Sequence, residues 1–188
     1  MIREISSRQI KLLPFVFCAL LIIGAIEAQA TIMKFLEVED LTRISSHIFH
    51  GQVIATDSYW NAERTAIYTD IKVQIKEAFK GSLSPGEIVT ITQLGGEKDG
   101  VLLDFEGRPQ FSVGESVVLF TTRGRNSNLT VVALKQGKMQ VEGSEVVRDF
   151  SGIILVEKTS RGKGLQAIQP RQTRLTLDEL RSRIASAK

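Results

Sequence analysis

From Thr65 to Gly81 the chain places Ile67, Thr69, Ile71, Val73, Ile75, Glu77 and Phe79 on odd positions. Tyr68, Asp70, Lys72, Gln74, Lys76, Ala78 and Lys80 fill the even ones. Successive side chains of a strand point to opposite faces, so this alternation predicts one strand with a core face and a wet face. It outruns the ~5–6 residues of a typical strand. A strand of that length suits the coiled, shared strand of a small barrel or bent sheet, because both of its edges can be paired.

The segments on either side supply its neighbours. Ile48 to Thr56 is apolar and β-branched enough for a first strand, with Gly51 marking a bulge or a close backbone approach. Asp57 to Arg64 is polar and reads as the turn that makes the two strands an antiparallel pair. Glu87 to Leu94 predicts a third strand, Glu115 to Thr122 a buried one, and Leu129–Leu134 and Lys138–Glu142 two more. Val146–Arg148 and Gly152–Val156 read as a last hairpin.

Helical spacing appears twice. Phe35 to Ser46 predicts a short helix, with Leu36, Leu41 and Ile44 on one face and Asp40 near its start. Thr176-Leu177-Asp178-Glu179 carries the hydroxyl and carboxylate of a capping box, opening a helix whose Leu177, Leu180 and Ile184 share a face. Lys158 to Arg174 is basic and without periodicity, which reads as a flexible linker. The class expected is all-β: a five- to six-stranded OB-like barrel with a short N-terminal helix and a C-terminal helix.

The first thirty residues are of another kind. Arg3, Arg8 and Lys11 precede the apolar run Leu12–Ile26, and Ala28-Gln29-Ala30 supplies the small residues of a cleavage site. Pro14 and Gly24 interrupt the run, which falls short of the ~20 residues that span a bilayer core. A cleaved export signal over 1–30 is therefore predicted, with no stable membrane anchor afterwards and a periplasmic or secreted destination. The domain boundaries follow as 31–157 for the β domain, with its core in 36–142, and 158–188 for the linker and last helix. Removing residues 1–30 from the 188 leaves 158, enough for one core without a covalent staple. It also removes Cys18, and with it disulfides, thiolate metal sites and a cysteine nucleophile. The formal charge falls from +3 to +2, since three basic and two acidic side chains leave together. So balanced a chain does not advertise a nucleic-acid surface.

Candidate chemistry is sparse. His47 and His50 are the only histidines; three apart on a strand they face opposite ways, so no metal site is assigned. No G-x-S-x-G, H-E-x-x-H or phosphate-loop pattern occurs, so no catalytic residue and no cofactor is assigned. The binding candidates are the aromatic residues Tyr59, Trp60 and Tyr68. To these the glycine-rich stretch from Gly95 to Gln110 adds Gly95, Gly96, Asp99, Asp104 and Glu106. Long loops of this kind carry function in compact domains, and Val101 to Phe105 reads as a short edge element within it. Asn128-Leu129-Thr130 is a glycosylation sequon only in a eukaryotic secretory pathway.

The element order carries a resemblance. A short helix is followed by the strand His47–Ala55 with its central Gly51, then by the alternating strand ending Val73-Gln-Ile-Lys-Glu-Ala-Phe-Lys80-Gly81. Gly86-Glu-Ile-Val-Thr-Ile91 comes next. Over roughly 36–142 this resembles the netrin-like module of tissue inhibitors of metalloproteinases, and uncharacterised exported bacterial proteins with Gln93–Gly96, Phe111–Glu115 and Leu119-Phe120 in the same places. The resemblance implies a five-stranded OB-type barrel. In those inhibitors an N-terminal cysteine chelates the protease zinc, whereas here the expected mature start is Thr31, so that mechanism does not transfer. The function expected is a non-enzymatic binding or protein-interaction module, its partner a protein or small ligand of the exported compartment. The alternative is a hydrolase using a Ser–Lys pair or a cation in the 95–110 loop.

N-terminal sequencing of the exported protein should read Thr31-Ile32-Met33. Recovery of Leu12–Ile26 in the membrane fraction would show an uncleaved anchor.

Overall fold

The computed structural model describes residues 31–124, 127–159, 164–170 and 173–187; the segment read as an export signal lies outside the described residues. The fold is β-rich, with two helices. In chain order the elements are β1 (Thr31–Lys34), α1 (Val38–Ile44), β2 (His47–Trp60), β3 (Ile67–Lys80), β4 (Ile88–Leu94), β5 (Gly96–Lys98), β6 (Val101–Leu103) and β7 (Ser116–Arg123). They continue with β8 (Leu129–Val131), a 3-10 turn (Leu134–Gly137), β9 (Lys138–Glu142), β10 (Glu145–Val147), β11 (Ile153–Lys158), β12 (Leu165–Ile168), β13 (Arg174–Thr176) and α2 (Leu177–Ser186).

The main sheet runs β13-β10-β9-β7-β2-β3-β4-β8, and β8 also pairs with β7. The path β7-β2-β3-β4-β8 thus returns to its first strand; β4 meets β8 in parallel at Ile91↔Leu129, and the other four contacts are antiparallel. A smaller sheet, β1-β11-β12, pairs β1 with β11 in parallel. Gln136 ties it to the main sheet, donating from Nε2 to Lys34 O (2.9 Å) and accepting from Leu36 N–H (3.0 Å). The β5–β6 hairpin stands apart as a two-stranded sheet.

β3 behaves as its alternation dictates over most of its length. Ile67, Thr69, Ile71, Val73 and Ile75 are buried, whereas Lys72, Gln74 and Lys76 are exposed. Near its end the parity reverses. Gly51 pairs with Ile75 and His50 with Glu77, so Lys76 is an extra residue without an opposite number. Such a bulge shifts every later side chain to the other face and tightens the local twist. Phe79 therefore belongs to a different core from Ile71, Val73 and Ile75, and one core face for the whole strand is corrected to two. A second bulge, at Ile54, reverses β2 in the same way.

Two cores result. Phe49, Val53, Ile71, Val73, Ile75, Val89, Ile91, Val117, Leu119 and Leu129 fill the space inside the ring of strands. Ile48, Phe79, Val118, Phe120 and Met139 point the other way and are covered by Val38 and Leu41 of α1 and Leu180 and Ile184 of α2. Each such side chain taken from water contributes roughly 1.5–3 kcal/mol. α2 starts where the capping box places it, with Thr176 Oγ1 accepting from Glu179 N–H at 3.1 Å. Its Arg181 clasps Glu77 through two hydrogen bonds of 2.8 Å, and Arg183 holds Glu39 through two of 2.7 Å.

Several boundaries move. β2 runs on through Asp57–Trp60, because the ladder with β3 pairs those residues with Asp70, Thr69, Tyr68 and Ile67; polarity there marks a wet strand face and not a turn. α1 is shorter than Phe35–Ser46 and turns Val38, Leu41 and Thr42 inward, leaving Ile44 52 % exposed. The expected hairpin after Gly143 does not form: β10 pairs with β9 and β13, and β11 with β1 and β12. The 158–174 stretch includes β12, which turns back on β11 as a hairpin, and the start of β13, whose pairing with β10 is long-range.

Val73→Asp, which puts a carboxylate into the inner core, should lower stability by more than about 3 kcal/mol in denaturant unfolding. Gln74→Asp, one residue along on the wet face, should cost less than about 1 kcal/mol.

Candidate functional site

Outside the ring, the faces of β2, β3 and β4 lie side by side. Tyr59 pairs with Tyr68, Asp57 with Asp70, Tyr68 with Leu94 and Asp70 with Thr92. Paired residues share a face, so this register puts two tyrosines beside a carboxylate and a hydroxyl. The tyrosine rings are nearly parallel, with centroids 6.3 Å apart. Tyr59 Oη donates to Asp70 Oδ1 at 3.3 Å and Thr92 Oγ1 donates to the same oxygen at 2.6 Å. Burial, and next the Asp70 carboxylate, push the Tyr59 phenol above its ordinary range. Asn128, entering β8, completes the row by donating Nδ2–H to Thr92 Oγ1 at 2.8 Å.

The glycine-rich stretch packs against the opposite face of the same two strands, at their end. Thr69 Oγ1 donates to Gly95 O at 2.6 Å and contacts Ser58 Oγ at 2.9 Å. At Gly96, φ is +141°, and a Cβ would run into both Thr69 Oγ1 and Ser58 Oγ, so the close approach requires glycine. Beyond it the β5–β6 hairpin carries Asp99, whose Oδ2 accepts from Trp60 Nε1 (2.9 Å) and Arg64 Nη2 (3.2 Å). The Arg64 guanidinium lies over the Trp60 ring, 5.5 Å from its centroid. Asp104 accepts from the buried Arg108 Nε at 2.7 Å and Gln110 approaches it as well; the Arg108 hydrogen bond holds this carboxyl below its ordinary range.

A cleft of about 350 Å³ opens between this loop and the seam where β4 leaves β8. Tyr68, Thr92, Gln93 and Leu94 form one wall, Phe105, Arg108 and Pro109 another, and Gly124, Thr130, Val131 and Leu134 the third. Gln93 Nε2 donates to Pro109 O at 2.9 Å, and its Oε1, shielded from solvent, has no hydrogen-bond partner. A larger cleft of about 720 Å³, near α2 and the small sheet, is lined by Glu37 and Arg183, which are paired with one another; none of the residues singled out in the sequence lines it.

The sequence candidates thus separate into groups. Tyr59 and Tyr68 come together on the outer face, and Trp60 joins Asp99 at the hairpin end. Gly95 and Gly96 seat the loop, and Asp104 braces it through Arg108. Glu106 turns away: its backbone oxygen accepts from Thr31 Oγ1 at 3.1 Å and its side chain lies against Gly152. Among the described residues no three His, Cys, Asp or Glu side chains gather as a metal site. Nor is any helix there long and apolar enough to cross a membrane.

A Ser–Lys contact does exist, in a part of the chain that carries no sequence signal. Lys135 Nζ lies 3.3 Å from Ser151 Oγ but also 3.2 Å from Asp149 Oδ2, and Ser151 Oγ donates to that same oxygen at 3.0 Å. His50 Nε2 meets Ser116 Oγ at 2.8 Å, but Glu77, its cross-strand neighbour, is held by Arg181. Asp70, Thr92, Gln93, Asn128 and Arg108 are the site residues the sequence reading missed. Asp70 shares the wet parity of Tyr68, which was a usable signal; the other four needed the strand register and the loop path.

No family model matches the chain, and no curated protein matches it.

Asp104 ionises more readily in the folded state, so its ion pair adds stability above the unfolded carboxylate pKa of ~3.9 and loses it as pH falls through the lower folded value. An NMR titration should place the Asp104 carboxyl below its ordinary range, and Arg108→Met should return it there.

Proposed function

We propose that the chain is an exported, non-enzymatic binding module whose ligand face is the outer surface of β3 and β4 together with the adjoining cleft. The observation that carries the reading is that the charged groups near this face, and the Ser–Lys contact elsewhere, are already matched to partners. Asp104 is held by Arg108, Asp99 by Arg64 and Trp60, and the Ser151–Lys135 contact is closed by Asp149. A general base needs a free lone pair within reach of a nucleophile's proton, and a lysine held as an ammonium against a carboxylate lacks one.

The same proposal takes the ring β2-β3-β4-β8-β7 as an OB-type barrel. Support comes from its strand order and from the single parallel contact, β4 with β8, that closes it. Kinship with netrin-like modules rests on the same order of elements. Barrels of this type bind ligands across the face of their second and third strands, here β3 and β4, and between the flanking loops. The open cleft lies there. Fold likeness does not choose among ligands.

The Ser–Lys contact gives the hydrolase alternative its one specific footing, so both readings meet in one experiment. The purified protein should turn over no esterase, peptidase or glycosidase substrate, with or without calcium and zinc. Turnover that disappears in Ser151→Ala or Lys135→Ala would replace the binding reading with the hydrolase.

A further inference from the structure

The polar row on the outer face has a direction. An ionised Asp70 can only accept, so Thr92 must spend its one hydroxyl proton on Asp70 Oδ1, 2.6 Å away. Thr92 Oγ1 can then only accept from Asn128, which fixes the Asn128 amide with Nδ2 inward and Oδ1 outward. By the same logic Pro109 O fixes Gln93 with Nε2 on the carbonyl and Oε1 unmatched. Asp70 Oδ2 and Asn128 Oδ1 beside Thr92 on the outer face, and Gln93 Oε1 at the cleft on the other side of β4, are thereby left without a hydrogen-bond donor among the described residues. The site is rich in acceptors and asks for donors.

Two cations of the described residues near the loop do not offset this. Arg64 is committed to Asp99, and Arg108 to Asp104 and Gln110. A phosphate chain laid on the face would meet the Asp70 carboxylate. A peptide would bring one carbonyl for each N–H, and those carbonyls would need donors that this row lacks. Hydroxyl groups rotate to donate wherever an acceptor waits, and a sugar ring also offers an apolar C–H face. Tyr68 and Phe105 line the cleft with aromatic surface, and its 350 Å³ lies at the small end of ligand sites.

We propose that this face binds a neutral carbohydrate: one pyranose unit enters the cleft between Tyr68 and Phe105, and its hydroxyls donate to Asp70 and Asn128. Gln93 Oε1 receives a further hydroxyl as the Pro109 loop contact is pushed aside. The inference rests on the binding-module reading and adds the class of ligand.

Neutral tetrasaccharides of glucose, mannose, galactose and N-acetylglucosamine, titrated calorimetrically into the purified protein, provide the test. At least one should bind saturably. Asp70→Asn and Gln93→Leu should each weaken it about tenfold or more while thermal melts stay within a few degrees of the parent. Gln93→Leu removes an unmatched acceptor together with the Nε2 bond to Pro109 O, so the thermal melt separates loss of that loop contact from loss of the ligand. Failure of all four sugars to bind at up to about 10 mM would overturn the inference, as would binding that survives both substitutions. A single-stranded oligonucleotide or an unstructured peptide binding in their place, with the same dependence on Asp70 and Gln93, would overturn the carbohydrate and leave the binding module standing. Hydrolysis of a bound sugar would overturn the module itself.

Discussion

The fold turns on how closely β2 and β3 approach at Gly51. A Cβ there would lie 2.6 Å from Val73 Cγ1 and 2.7 Å from Gln74 O, inside van der Waals contact, so the position admits only glycine without displacement of the strand. That contact lies between the bulges at Lys76 and Ile54, which bend the two long strands and exchange their faces. Because of the exchange, β3 can give Ile71, Val73 and Ile75 to the inner core and Phe79 to the helix-covered one. A flat ribbon of the same sequence would leave Phe79 in line with Ile75 and offer α2 no apolar seat. The outer row of Tyr68, Asp70 and Thr92 follows from the same register.

What the sequence discloses follows the range of the interaction. The alternation of β3, the close approach at Gly51 and the Thr176 cap are local, governed by neighbours in the chain, and all are legible. The reversal at Lys76 is marked only by the charged Glu77 on the apolar parity, because a bulge is defined by the partner strand. The same holds for Asp57–Trp60, polar enough for a turn yet held in a ladder by β3, and for β13, whose partner β10 lies on a distant segment. At the site, aromatic residues announced themselves by type. Thr92, Gln93 and Asn128 are ordinary residues until the register and the Pro109 loop set them together.

Charge is arranged to hold elements together. Arg181 and Arg183 fasten α2 to Glu77 and Glu39, and the Arg partners pull both carboxyls below their ordinary range. Arg148, buried between the Phe35 and Phe150 rings at 5.2 and 4.9 Å, donates to Leu36 O, and desolvation lowers its pKa to about 10. The rings stabilise the cation there through their negative faces. Arg64 and Arg108, near the outer face of β3 and β4, are already paired with Asp99 and Asp104.

The division of β2 and β3 between two cores is the claim on which the rest stands, and through-space NMR contacts of two adjacent side chains test it directly. The ring of Phe49 should show cross-peaks to methyls of Val73 and Ile91, while Ile48, one residue earlier, should contact Leu180, Ile184 and Phe120. Phe79 should share the contacts of Ile48. If Phe79 instead gave its cross-peaks to Ile75, Val73 and Ile91, the strand would keep one parity throughout, and the bulged register, the seat of α2 and the acceptor row would all be contradicted.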